Sequence, residues 1–291
     1  MLSKSARLWL GIIAAISLLS LASSCGGPKT EEEKTGAPTG KTYSSKGDEG
    51  SIAGKISYNG TAPEAKKIDT SADAACTSKS PNLTTEEWVV KDGKLANTFV
   101  YIKDGTLADN SKIGEYAFAT PSSSATLDQN GCHYRPHVLG VMVKQDINIT
   151  NSDPTTHNIH FTPKNNPDWN QSQPNGAAPL VHKLNVAEVL VSVKCNQHPW
   201  MKAYIGVLKH PFFAVSAEDG SYTIKNVPAG KYTVVAWHEG QGNGTEKTME
   251  VTVPAKGAAT ADFTFGGTAA LIGQPSSLKM MPAIEFPMLK H

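Results

Sequence analysis

Along most of the chain, apolar residues arrive in short alternating runs, and each run predicts a strand with one buried face. Val138 to Val143 and Ile147 to Thr150 alternate around a Lys-Gln-Asp turn. Val189 to Val193 and Ala203 to Leu208 are two further β-rich runs, with the stretch from Cys195 to Met201 as the tight loop between them. In "EDGSYTIKNVPAGKYTVVAWHEG" (Glu218 to Gly240) a Pro-Ala-Gly turn separates two more. Tyr222 and Ile224 share one face of the first; Tyr232, Val234 and Ala236 share one face of the second. The runs are rich in Val, Ile, Thr, Tyr and Phe, and Gly, Pro, Asn and Asp stand between them. The pattern predicts an all-β protein.

The N-terminus breaks this pattern. Lys4 and Arg7 precede an apolar run from Leu8 to Leu21 that is too short to span a membrane comfortably. "LASSC" (Leu21 to Cys25) closes it with small residues and resembles a bacterial lipoprotein signal. That resemblance implies removal of residues 1–24, lipidation of Cys25 and, with Gly26 next in line, outer-membrane sorting. The alternative is an ordinary secretory signal cut near Ser24. Residues 25–49 are mostly Lys, Glu, Gly, Ser, Thr and Pro, which cannot bury a core and read as a flexible tether.

A length of 291 residues leaves room for about two domains, and 39% hydrophobic residues can build a sizeable core. A net charge of +1, from 27 basic and 26 acidic residues, gives no reason to expect a nucleic-acid partner. The four cysteines are more informative. With Cys25 assigned to the lipid, three remain in a chain expected in an oxidising compartment. One must stay unpaired. Cys195 has His198 and Met201 for neighbours, so Cys76 and Cys132 are the expected disulfide.

"VKCNQHPWM" (Val193 to Met201) spaces a thiol, an imidazole and a thioether three residues apart, and "HNIHF" (His157 to Phe161) supplies further imidazoles upstream. On an extended strand His157 and His160 face opposite sides, so only one can join the set. The two segments, with their lead-in "YRPHVLGVMVKQDINITNSD", resemble the blue-copper (type 1) cupredoxins, most closely the amicyanin-type subgroup. The resemblance covers about Gly131 to Lys209 and departs at Lys144-Gln145, where that family has Gly. It implies a Greek-key β-sandwich with one type 1 copper, in which His157, Cys195 and His198 are equatorial ligands and Met201 is a weak axial one. Two imidazoles, a thiolate and a distant thioether suit copper in both oxidation states. Asn158 would hydrogen-bond near the thiolate and tie its strand to the Cys195 loop. His160 is expected to be structural and His137 packed or hydrogen-bonded; His133, His182, His210 and His238 show no clustering with acidic or cysteine partners. "MMPAIEFPM" (Met280 to Met288) reads as an apolar segment, with Cu(I) binding through its thioethers as the alternative.

The Glu218 to Gly240 hairpin resembles the carboxypeptidase-regulatory-like (transthyretin-like) β-sandwich. An opening strand for that fold appears far upstream in "GSIAGKISYNG" (Gly50 to Gly60), followed by "LANTFVYIKDG" (Leu95 to Gly105). The expected organisation is a sandwich split between 50–105 and 212–266, with the cupredoxin inserted as 106–211 and a tail from 267 to 291. Insertion at a loop whose ends stay close is physically undemanding. In the rival arrangement the 50–130 segment adds strands to the cupredoxin.

The function implied is a membrane-anchored, extracytoplasmic one-electron carrier between redox partner proteins, lipid-anchored at the periplasmic face of the outer membrane or at the cell surface. By resemblance the His198 ring would reach an apolar surface patch, contributed by Pro199 and Trp200, as the electron exit. No nucleophile elbow, phosphate-cradling Gly loop or zinc-protease motif is present, so no enzyme activity is expected. The alternatives are a copper-storage or copper-delivery lipoprotein, and a surface interaction module in which copper is structural.

Overall fold

The computed structural model describes residues 40–240 and 244–266. The signal segment, Cys25, most of the tether and the tail from 267, with its methionines, lie outside the described residues. Among those described, no helix is long and apolar enough to cross a membrane. The fold is all-β, and the described residues include one short α-helix (Ala74–Lys79) and one 3-10 turn (Ile113–Glu115).

Two β-sandwiches share the chain. In the outer one, strand Gly50–Asn59 pairs antiparallel with Ser221–Val227, and Phe99–Leu107 pairs with Gly230–His238. The chain therefore lays down these two strands, with the short Val90–Lys91 and Lys94–Leu95 hairpin between them, and returns about a hundred residues after Leu107 to pair with them. Between those visits it builds the inserted sandwich. One of its sheets orders Leu180–His182, Ile147–Asn151, Ala125–Gln129 and Tyr134–Arg135; the other orders Trp169–Gln173, His157–Thr162, Glu188–Lys194, Lys202–Leu208 and Val138–Met142. Ile149, Ile159, Phe161, Val191, Val193 and Ile205 fill the space between them with no exposed surface. Removing such side chains from water is the main favourable term in holding the sheets together, at about 1.5–3 kcal/mol each.

Alternation places Tyr232, Val234 and Ala236 in the outer core, yet Val235 and Trp237 on the opposite face are buried as well. The reason is a third layer. Val235 and Trp237 join Phe99, Tyr101, Val138 and Leu208 in a separate cluster where the two sandwiches meet. Gly140 and Gly206 stand opposite each other on adjacent parallel strands and form the seat for this contact. A Cβ at Gly206 would lie 2.3 Å from the Phe99 ring, and one at Gly140 2.3 Å from the Phe213 ring.

Three boundaries drawn from sequence shift. Ile68, Cys76 and Leu83, expected in the outer sandwich, pack into the core of the inserted one, because Cys76 is disulfide-bonded to Cys132 there. Ile113, Tyr116 and Phe118, expected in the inserted domain, pack against the outer core. The tether ends earlier than 49: Lys41–Thr42 pairs with Tyr116–Ala117, and the Tyr43 ring lies 5.0 Å from that of Phe118. That aromatic residue gives an otherwise polar segment something to bury.

Candidate metal centre

Strand His157–Thr162 turns His157, Ile159 and Phe161 inward, each fully buried, and His160 outward. His160 meets Asp168 at 2.9 Å on the surface and stays out of the cluster. Its neighbour strand Glu188–Lys194 delivers Cys195 at its end, and the next strand starts at Lys202. The six residues after Cys195 close on themselves: the Met201 N–H donates to the His198 carbonyl at 2.9 Å, and the Cys195 N–H to the Met201 carbonyl at 3.2 Å. Cys195 is buried and unpaired, and Met201 has no exposed surface.

Three donor atoms converge. His157 Nδ1 and His198 Nδ1 are 2.9 Å apart, Cys195 Sγ is 3.6 Å from His198 Nδ1, and all three lie within 4.8 Å of one another. The far nitrogens explain this orientation. His157 Nε2 donates to Asp153 Oδ2 at 2.9 Å, and His198 Nε2 to Asp73 Oδ2 at 3.1 Å. Each carboxylate holds the proton on Nε2 and leaves the Nδ1 lone pair facing the centre. Two such lone pairs at 2.9 Å need a cation or a proton between them. This donor set fits a copper ion on its own chemistry. The other two potential ligand groups, Asp73–Cys76–His198 and Cys132–Asp153–His157, each contain a disulfide sulfur and are not independent sites.

The electrostatics agree. Burial alone would raise the Cys195 thiol, but hydrogen bonds from His157 and from the backbone N–H groups of Asn158 and His198 bring it down to about 6. Burial would lower His157, and Asp153 and Cys195 outweigh it, raising the imidazole to about 9. Without metal, that proton bridges the site; a metal would displace it. Asp153 is fully enclosed, yet it is held well below the carboxylate range. Against the cost of burial it accepts from His157, from Lys79 and from the N–H groups of Gly131 and Cys132. Asn158 Oδ1 accepts from the Asn196 N–H at 2.7 Å and lies 3.3 Å from Cys195 Sγ, so it joins the two strands at the sulfur.

The expected electron exit differs. Pro199 is exposed, but His198 is only 4% exposed, with its Nε2 turned to Asp73. Trp200 is half-buried, packed 5.1 Å from His198 and donating its indole N–H to the Cys132 carbonyl. Asp153 and Asp73 were not singled out from sequence. Asp153 stands four residues before His157 in the turn "NSDPTT", a local signal; Asp73 has none. His133 also departs from expectation, with its Nδ1 3.4 Å from a Glu86 oxygen.

No curated protein matches the chain. The family profile that matches is "Polysaccharide lyase family 4, domain II", over residues 175–261. This corrects the transthyretin-like resemblance, because the Glu218 to Gly240 hairpin falls within a different family's match. Among solved structures, the chain is similar to a purple cupredoxin from Nitrosopumilus maritimus at 21% identity, covering 29% of this chain and 99% of that one, with a TM-score of 0.25. A Cu(I) amicyanin point mutant matches at 16%, covering 37% and 97%, with a TM-score of 0.26. A Cu-containing nitrite reductase from Thermus scotoductus SA-01 matches at 18%, covering 31% of this chain and 23% of that one, with a TM-score of 0.28.

Proposed function

We propose that this chain is a type 1 copper protein that carries single electrons between partner proteins outside the cytoplasm, held to a membrane through lipidated Cys25. The observation that carries this reading is the convergence of two Nδ1 atoms and one low-pKa thiol on a single enclosed point. His157, Cys195 and His198 would hold the ion, with Met201 as the weak axial donor. Copper would supply a one-electron couple. The protein's part is to keep the donors in place whichever charge the ion has, so that little rearrangement accompanies electron transfer. Asp153, Asp73 and Asn158 do this through fixed hydrogen bonds from separate segments of chain. A fourth donor from the protein leaves no position for a substrate, which argues for electron carriage over catalysis. The enclosed site also favours retention of copper over its delivery.

The test is spectroscopic. Protein loaded with Cu(II) should be intensely blue through thiolate charge transfer and should cycle reversibly at an electrode with its copper retained. Cys195→Ser should lose the colour while the circular dichroism spectrum remains. Blue colour persisting in Cys195→Ser, or copper lost at each reduction, would sink the reading.

A further inference from the structure

A second group of ligand-type side chains lies where the two sandwiches meet the segment carrying Glu86. His137 is 7% exposed. Its Nε2 is hydrogen-bonded to Glu239, which extends from the strand Gly230–His238 of the outer sandwich. Its Nδ1 is buried and has no hydrogen-bond partner. It points toward Glu86 Oε2, 3.8 Å away, which is too long for a hydrogen bond. His133, 5% exposed, directs its own Nδ1 at the same Glu86 oxygen from 3.4 Å. A small pocket of about 80 Å³ opens among these side chains, with Pro199 and Trp200 on its wall.

The tautomer argument applies here too. With the His137 proton held on Nε2 by Glu239, a bare lone pair faces a carboxylate oxygen across 3.8 Å. Two ligands of one tetrahedral ion stand roughly 3.3–3.6 Å apart at metal–ligand lengths of about 2.0–2.2 Å; the 3.4 Å His133 separation from Glu86 fits that range and the 3.8 Å His137 separation needs a small closure. We propose that His133, His137 and Glu86 form a second metal site, for a divalent transition-metal cation such as Zn²⁺, with Glu239 as the residue that positions His137. Two imidazoles and a carboxylate are a borderline-soft donor set, and a fourth position remains open to the pocket. Glu86 now also accepts from Arg135 at 2.6 Å. Arg135 is on the surface, with its side chain 43% exposed, so it can swing into solvent as the cation arrives. The facing nitrogens of His133 and His137 stand more than 4.8 Å apart, so binding must also draw the two histidines together by rotation of their rings. The ion would then link the Glu86 segment directly to the inserted sandwich, and through Glu239 to the outer one.

This inference does not rest on the copper reading. The experiment is a calorimetric Zn²⁺ titration of the untagged full chain after the Cys195 centre has been filled with copper. One further equivalent is expected, with the visible spectrum unchanged and the thermal midpoint raised. His133→Ala and His137→Ala should each abolish that equivalent. Glu86→Gln, an isosteric change at a side chain only 22% exposed that the fold should tolerate, should do the same. Glu239→Gln should keep the site and weaken it by about 10–100-fold. If the Cys195 centre takes no copper, the same titration on a His157→Ala, Cys195→Ser chain reads the second site alone. Absence of a Zn²⁺ equivalent beyond the Cys195 centre would overturn the proposal. So would an equivalent that survives both Glu86→Gln and His133→Ala.

Discussion

Asp73 Oδ2 accepts a hydrogen bond from His198 Nε2 at 3.1 Å, across 125 residues of sequence. The other oxygen of the same carboxylate caps the Ala74–Lys79 helix, accepting from the N–H groups of Ala75 and Cys76. One side chain therefore starts a helix, orients a candidate ligand and covers its edge. The Cys76–Cys132 disulfide, with its Cα atoms 5.7 Å apart, keeps that helix over the site.

Asp73→Asn should separate charge from geometry. Asn is as good a helix cap as Asp and can still accept from His198. Copper and colour should remain, and the reduction potential should rise because a negative charge that favours Cu(II) is gone. Asp73→Ala should add a loss of copper affinity of about 10–100-fold and faster electron self-exchange as the His198 edge opens. Voltammetry and NMR line broadening measure the two effects. An unchanged potential in Asp73→Asn would argue against a charged carboxylate there.

Asp153→Ala should be strongly destabilising. It strands the N–H groups of half-buried Gly131 and buried Cys132, both bonded at 2.7 Å, together with His157. Leaving buried polar groups unpaired costs about 1–3 kcal/mol each, before the effects are found not to add in full. Urea unfolding should show a loss of several kcal/mol. A shift below 1 kcal/mol would mean that water replaces the carboxylate.

Met201→Leu should fold almost normally, since a fully buried Met is replaced at similar volume for less than about 1.5 kcal/mol. Copper and colour should persist, and the potential should rise because a weak axial donor stabilises Cu(II) more than Cu(I). If the variant binds no copper, the axial role assigned to Met201 is wrong.

Gly206→Val should weaken the contact between the sandwiches. Its first added carbon would sit 2.3 Å from the Phe99 ring, which has no room to retreat in a fully buried cluster. Overpacking of this kind costs about 1–3 kcal/mol. Thermal unfolding should move down and broaden, while the blue band, formed at the far end of the same strand, persists.

Acid should destabilise the fold partly through His210. Burial beside Phe118 and Phe212 pushes its imidazole down to about 4, against about 6.5 in the unfolded chain. Between these values the unfolded state binds a proton that the folded state refuses. The stability is complete above pH 6.5, falls as pH drops through that window, and levels off below 4. His238, pushed down to about 4 by the same cause, adds to the effect. His210→Phe should flatten the urea-midpoint profile between pH 4 and 6.5 by the share of one group. An identical profile in the variant would remove His210 from the account.

The strands were legible because alternation is local. Tyr222, Ile224, Tyr232, Val234 and Ala236 needed only their own neighbours to declare a buried face, and all five are buried. The donors on the Cys195 to Met201 loop were equally local, and one strand's pleat was enough to set His157 apart from His160. The outer sandwich shows the limit of a hairpin motif: a Pro-Ala-Gly turn between alternating runs is available to many β-sandwich families, so the transthyretin-like resemblance did not survive comparison. What the tertiary structure alone decided is who meets whom across long loops. No period or spacing relates Asp73 to His198, Glu86 to His133, or His137 to Glu239. Nor does any local pattern explain why both faces of Gly230–His238 are buried. Those pairings follow from where two sheets stack and where a disulfide anchors a helix, and that packing depends on the side chains of the whole chain at once.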